Sequence, residues 1–172
     1  RGLMIDCSRN AVLRPDFLRD VLLRLALLGY NAVCLYTEDT YQVKGHPAMG
    51  YLRGRYSTAE LRQLDRFAAR LGIEMFPCIQ TLAHLEQILK HPSYRPLQDD
   101  NRILNLKLEE SYAFIEAMVD SAAAPYRSRR IHVGLDESWG LSRGRAFVPR
   151  TPIDPREDYL EHVRRVDAMC RE

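Results

Sequence analysis

Ala32-Val33-Cys34-Leu35-Tyr36-Thr37-Glu38-Asp39 is an apolar run of strand length closed by two carboxylates. A run that is continuously apolar, rather than alternating, is what a parallel strand covered on both faces requires. Three other stretches repeat the form. Gly2 to Ile5 ends in Asp6, Ile73 to Ile79 ends in Gln80-Thr81 with His84 beyond, and Ile131 to Leu135 ends in Asp136-Glu137.

Helical patterns fill the intervals. Leu18, Val21, Leu22, Leu25 and Leu28 recur at helical spacing, and Gly29 supplies the stop before the second strand. Leu61, Leu64, Phe67, Ala68 and Leu71 repeat the device, with Ser57 and Glu60 as a capping box and Gly72 at the end. A third helix is expected around Tyr112, Ile115, Met118 and Val119. A fourth is expected from Asp154, with Pro155 at its first position and a stripe of Leu160, Val163, Val166 and Cys170. Strand and helix thus alternate four times, predicting parallel strands joined by right-handed crossovers. The connections over residues 38–56 and 80–108 are long, the second with a short helix expected near His84 to Leu89. Both follow strands, so both belong to the carboxyl-terminal face, where parallel α/β proteins place their chemistry.

The chain has 172 residues, 46% hydrophobic and 28% charged, a globular balance read as one segment over residues 1–172. No apolar run approaches membrane-spanning length and no secretory leader opens the sequence, so neither a membrane nor export is expected. Net charge is +2, too small and too dispersed for a nucleic-acid surface. Lysine stands only at 44, 90 and 107, so arginine dominates the cations. The Arg127, Arg129 and Arg130 cluster is expected on solvated surface. Cys7, Cys34, Cys78 and Cys170 form no CxxC pair, and the first three lie in or beside strand-like runs, as inert small hydrophobes do; the expected compartment is reducing and cytoplasmic.

Four strands therefore deliver Asp6, Glu38-Asp39, Gln80-Thr81 with His84, and Asp136-Glu137 to one rim. Any single Asp after a strand is explained by capping the next helix; the four together point to a catalytic or binding rim. Asp136-Glu137 is the sharpest element. Adjacent residues at a strand end point apart, so the two carboxyls can take different roles around one substrate, one protonated as an acid and the other ionised. Trp139 follows as an apolar wall. A metal site from His84, His132, Asp136 and Glu137 is the rival, and the depth of His132 inside its strand counts against it.

These residues resemble a known family. Arg1-Gly2-Leu3-Met4-Ile5-Asp6-Cys7-Ser8-Arg9 resembles the first-strand motif of glycoside hydrolase family 20, the β-N-acetylhexosaminidases, and His132-Val133-Gly134-Leu135-Asp136-Glu137 its H-x-G-x-D-E signature. Pro77 to His84 is similar to the third-strand P-E-I-D-x-P-G-H, and Leu35 to Asp39 to the second-strand segment ending in acids. The wording is closest to the small bacterial exo-N-acetylglucosaminidases. The resemblance implies a TIM (β/α)8 barrel, of which this chain covers about the first four βα units. It also implies substrate-assisted retaining hydrolysis of terminal β-linked N-acetylhexosamine, with no cofactor and no metal. Glu137 is then the general acid/base, Asp136 orients the acetamido N–H, and Arg1 binds the sugar's hydroxyls. His84, with Glu38 or Asp39, surrounds Glu137.

The match has departures. Gln80 and Glu38 stand where many members carry Asp, and Leu82-Ala83 replaces Pro-Gly. A whole barrel of this type takes about 250 residues. A half barrel leaves open strand edges, which the remainder of the barrel or a second copy would cover. Two alternatives stay open: a catalytically silent or carbohydrate-binding segment, and a metal-dependent hydrolase on the same barrel.

Overall fold

The computed structural model describes residues 1–9, 11–148 and 154–171. Its elements run β1 (Gly2–Asp6), α1 (Pro15–Leu27), β2 (Ala32–Tyr36), α2 (Thr58–Arg70), β3 (Glu74–Cys78), α3 (Glu86–Leu89), a 3₁₀ turn (Pro92–Leu97), α4 (Glu109–Ala123) and α5 (Pro155–Arg171). The strands form a parallel sheet of order β1-β2-β3, with Gly2 opposite Ala32 and Tyr36 opposite Cys78. The residues divide into two compact units: Arg1–Ile79 with Asp120–His132, and Gln80–Val119 with Val133–Glu172.

The first unit holds the sheet with α1 and α2. Leu18, Leu22 and Leu25 of α1 and Leu61, Leu64 and Ala68 of α2 are buried, as are Val33, Leu35 and Met75 of the strands. Burying each of the leucine, valine and methionine side chains contributes about 1.5–3 kcal/mol. The Ser57 capping box forms as predicted: the Ser57 hydroxyl accepts from the Glu60 amide at 3.2 Å, and the Glu60 carboxylate accepts from the Ser57 amide at 2.8 Å. Gly29 and Gly72 end their helices at φ +76° and +74°. Leu28, expected in the α1 stripe, is exposed. Arg127 is 60% exposed, as expected, and also donates to the buried Asp65 carboxylate at 2.8 Å.

In the second unit Leu82, Ala83, Ile103 and Leu141 make a buried cluster, against which Leu106, Leu135 and Tyr159 pack. Asp99 clasps the loop beyond Glu137: its carbonyl accepts from the Arg145 amide at 2.8 Å and its carboxylate from the Ala146 amide at 2.7 Å. The chain passes so close that a Cβ on Gly144 would stand 2.0 Å from the Asp99 carbonyl oxygen, so only glycine fits.

Two expectations are corrected. The fourth strand does not form as a ladder. A single bridge joins Cys78 and His132, after which the Thr81 amide bonds the carbonyls of Val133 (3.0 Å) and Gly134 (3.3 Å). Gly134 at φ +51° takes the backbone out of the extended geometry a ladder needs. The α5 stripe is also shifted. His162 and Val166 are buried while Leu160 and Cys170 are exposed, so a histidine occupies the face assigned to aliphatic residues.

Candidate active site

The second unit gathers four of the polar residues singled out above. Gln80, just past β3, donates through its side-chain amide to Asp136 Oδ1 at 2.9 Å. His84 directs Nε2 at both carboxylates, 3.4 Å from Asp136 Oδ2 and 3.5 Å from Glu137 Oε2. The imidazole is nearly buried at 13% exposure, whereas the Asp136 and Glu137 side chains are 60% and 56% exposed. A sheltered group thus holds two carboxylates that face outward.

The Gln80 hydrogen bond, assisted by the Asp136 backbone and His84, holds the Asp136 carboxyl below its ordinary range. A glutamine here is a donor, where an aspartate would be a second acceptor, so the departure from the family pattern favours an ionised Asp136. His84 and Glu137 both sit at positive φ, +55° and +52°. Non-glycine residues pay about 1–3 kcal/mol for such backbone, and it persists where surrounding structure over-determines it, as at active sites.

The support beneath this pair runs through Thr81. Its hydroxyl donates to the Val133 carbonyl at 2.9 Å, and His162 Nε2 lies 3.4 Å from the same oxygen. The hydroxyl proton is already committed, so His162 donates from Nε2 and its Nδ1 is the lone-pair nitrogen. That Nδ1 is buried without a hydrogen-bond partner. Burial, reinforced by the Arg165 guanidinium, pushes the imidazole down to about 4. Tyr112 of α4 flanks the ring at 5.8 Å.

The other rim residues lie in the first unit. Glu38, 1% exposed, accepts from the Tyr36 hydroxyl at 2.7 Å and from the Arg9 guanidinium, and is itself at φ +46°. Asp39 pairs with Arg53 at 2.8 Å, and Arg53 also donates to the Ser8 carbonyl. Asp6 accepts from the Ser8 amide and hydroxyl, both at 2.7 Å.

Arg1 is displaced from its expected role. It precedes β1, and its amino group donates to Asn31 Oδ1, so it stands at the amino-terminal end of the sheet, while Asp6 and Glu38 stand at the carboxyl-terminal end. The guanidinium at the carboxyl end of β1 is Arg9. Strand polarity carried the signal: only a residue after Asp6 reaches that rim. Trp139 is 74% exposed. Among the described residues no three His, Cys, Asp or Glu side chains are placed to hold one metal ion, so the four-residue ligand set considered above is not assembled.

The chain is similar to known hexosaminidases. No protein-family model matches the chain. Hexosaminidase D of Bos taurus is 28% identical over 162 residues, covering 90% of this chain and 47% of that protein. A β-hexosaminidase of Vibrio furnissii is 30% identical over 176 residues, covering 80% of this chain and 28% of the other. The family 20 exo-β-N-acetylglucosaminidase of Vibrio harveyi, solved with N-acetylglucosamine, superposes with a TM-score of 0.86 at 20% identity over 99% of this chain and 33% of that one. The chain is hexosaminidase-like, with the α/β fold of the matched part of that structure. A mutant Streptomyces plicatus β-hexosaminidase in complex with GlcNAc superposes at 0.81, with 21% identity, over 99% of this chain and 36% of that one. This hexosaminidase-like segment spans less than half the length of the relatives it matches.

Proposed function

We propose that the chain supplies the acid/base and acetamido-orienting carboxylates of a β-N-acetylhexosaminidase acting on terminal β-linked N-acetylhexosamine. The observation that carries this reading is the Gln80, His84, Asp136 and Glu137 constellation: two outward-facing carboxylates, one with a lowered pKa, held by a sheltered imidazole and amide.

An ionised Asp136 accepts the substrate's acetamido N–H and turns the acetamido oxygen toward the anomeric carbon. That oxygen attacks as the glycosidic bond breaks, while Glu137 gives its proton to the leaving oxygen. Asp136 then balances the positive charge of the cyclic oxazolinium intermediate. Glu137, now ionised, takes a proton from the water that reopens the ring, and the anomeric configuration is retained. Within the first unit Arg9 is steadied by Glu38, and a guanidinium fork of this kind suits vicinal hydroxyls. The exposed edge of β1 is read as the place where further barrel strands add. Among the described residues no helix is long and apolar enough to cross a membrane.

In the protein of native length, Glu137→Gln is expected to lower turnover of a chromogenic N-acetylglucosaminide by about 10²–10⁴-fold with unchanged circular dichroism. Full activity in that variant would sink the assignment. A second reading, a segment that binds a hexosaminide without cleaving it, is favoured by the chain's share of its relatives. Turnover by the 172-residue chain, assayed beside a longer one, separates the two.

A further inference from the structure

The residues of the candidate site come from two stretches of the second unit, Gln80 with His84 and Asp136 with Glu137, and one residue fastens the stretches together. Thr81 donates through its amide to the carbonyls of Val133 and Gly134, at 3.0 and 3.3 Å, and through its hydroxyl to the Val133 carbonyl at 2.9 Å. It stands next to Gln80 and three residues before His84, while Val133 stands three residues before Asp136. A hydroxyl turns about its bond unless a neighbour fixes it. His162, fully buried on α5, is that neighbour: its Nε2 lies 3.4 Å from Thr81 Oγ1 and donates to it.

The opposite edge of the ring is bare. Nδ1 is buried with no hydrogen-bond partner, and the groups around the ring offer it none. On α5 itself Arg165 is a cation, Glu161 is paired with Arg164 at 3.5 Å, and Asp158 accepts from Lys107 and Ser142. From α4 come Tyr112, whose phenol is kept neutral by burial, and Glu109, which Arg165 holds in a two-pronged pair at 2.6 and 2.9 Å. From the segment after β3 the ring meets Thr81, which does not titrate. A neutral ring fits these surroundings with its one donor used. A second proton would put a charged N–H in a buried space without an acceptor, and the ring can hydrate that proton only by leaving Thr81.

We propose that His162 is a positioning residue of the site: the neutral imidazole fixes the Thr81 hydroxyl on the Val133 carbonyl, keeping Gln80 and His84 in register with Asp136 and Glu137, and a proton at Nδ1 releases it. The proposal rests on the hexosaminidase reading for its consequence in sugar binding, and on the hydrogen bonds alone for the register. It gives the site an acid limit that neither carboxylate sets. The imidazole, pushed down to about 4 by burial and by Arg165, takes its proton before the depressed Asp136 carboxyl does.

The test follows the Gln80 side-chain amide by ¹⁵N–¹H NMR in the 172-residue chain, because its hydrogen bond to Asp136 reports the register. In the parent this resonance is expected to move together with the His162 ring signals, at an inflection near pH 4. In His162→Gln, whose amide can donate to Thr81 without titrating, it is expected to keep its pH 7 position and lose that inflection, leaving the lower one of Asp136. In His162→Leu and in Thr81→Val it is expected to shift already at pH 7, whereas Thr81→Ser leaves it in place. In the protein of native length, affinity for N-acetylglucosamine at pH 7 should fall about 2- to 10-fold in His162→Leu, the scale of one hydrogen bond, and hold in His162→Gln. A Gln80 resonance unmoved in a His162→Leu variant folded by circular dichroism, or an inflection near pH 4 that survives in His162→Gln, overturns the positioning role whatever the sugar does. A Gln80 resonance that responds as expected, in a protein that binds no N-acetylglucosamine, overturns the hexosaminidase reading and leaves the positioning role standing.

Discussion

The carboxylates at the strand ends fall into two kinds. In the first unit Glu38 and Asp39 are 1% and 5% exposed and each is met by a guanidinium, from Arg9 and Arg53. In the second unit Asp136 and Glu137 are 60% and 56% exposed and are met by an imidazole and an amide. A buried carboxylate must be neutralised where it stands, so its partner is chosen by desolvation and the pair becomes framework. An open carboxylate keeps its hydration until a substrate replaces it, which is the condition for binding and proton transfer. Adjacent acids in sequence thus become scaffold in one place and, on the proposed reading, chemistry in the other.

The comparison is most easily broken at Arg53. Its side chain is only 16% exposed, so Arg53→Met strands the Asp39 charge out of water and also withdraws a donor from the Ser8 carbonyl. Removing one partner of a buried pair costs about 3–5 kcal/mol. Hydrogen exchange should rise over β1 and β2 by the corresponding factor, and unchanged protection there would mean that Asp39 is solvated after all.

How far these roles were legible follows from how local each signal is. β1, β2, β3 and the Ser57 cap are written in a few consecutive residues, since strand burial and capping act within one turn or run. The fourth strand was overcalled because its apolar run contains Gly134, whose left-handed backbone a hydropathy pattern does not register. Asp136, Glu137 and His84 were legible as a set, but the pairing of Glu38 with Arg9 and of Asp39 with Arg53 joins residues 29 and 14 positions apart through the fold. Arg1 was assigned the hydroxyl-binding role because motif wording carries no strand direction. His162 was invisible for another reason: on a helix as polar as α5, one histidine looks like surface until its face is known.

His162 sharpens the comparison, because the buried titratable group beneath the open carboxylates is an imidazole that must stay neutral. Its folded value of about 4 lies below the ordinary 6.5, so protons bind the unfolded chain first. The stability that neutral burial provides is fully present above about pH 6.5 and is lost as pH falls toward 4, by about 3 kcal/mol for a shift of this size. A proton added at Nδ1 would have no acceptor and would face Arg165. Urea denaturation from pH 7.5 to 4 should show this slope, and His162→Leu should flatten it; an equal slope in the variant would assign the acid sensitivity elsewhere.

The smallest effect is expected at Asp136, and its smallness is the point. The depressed Asp136 carboxyl stabilises the fold above its ordinary range near pH 3.9, and that contribution is lost as pH falls through the lower folded value. The side chain is more than half exposed, so solvent screening leaves below about 1 kcal/mol of it. Asp136→Asn keeps the shape and removes the charge, and its urea midpoint at pH 7 should match the parent's within that margin while acetamido-sugar affinity falls. A loss of several kcal/mol would place Asp136 with Glu38 and Asp39 as framework. An unchanged midpoint with weakened sugar binding would leave it where its exposure puts it, as a charge held ready for something the folded chain does not itself provide.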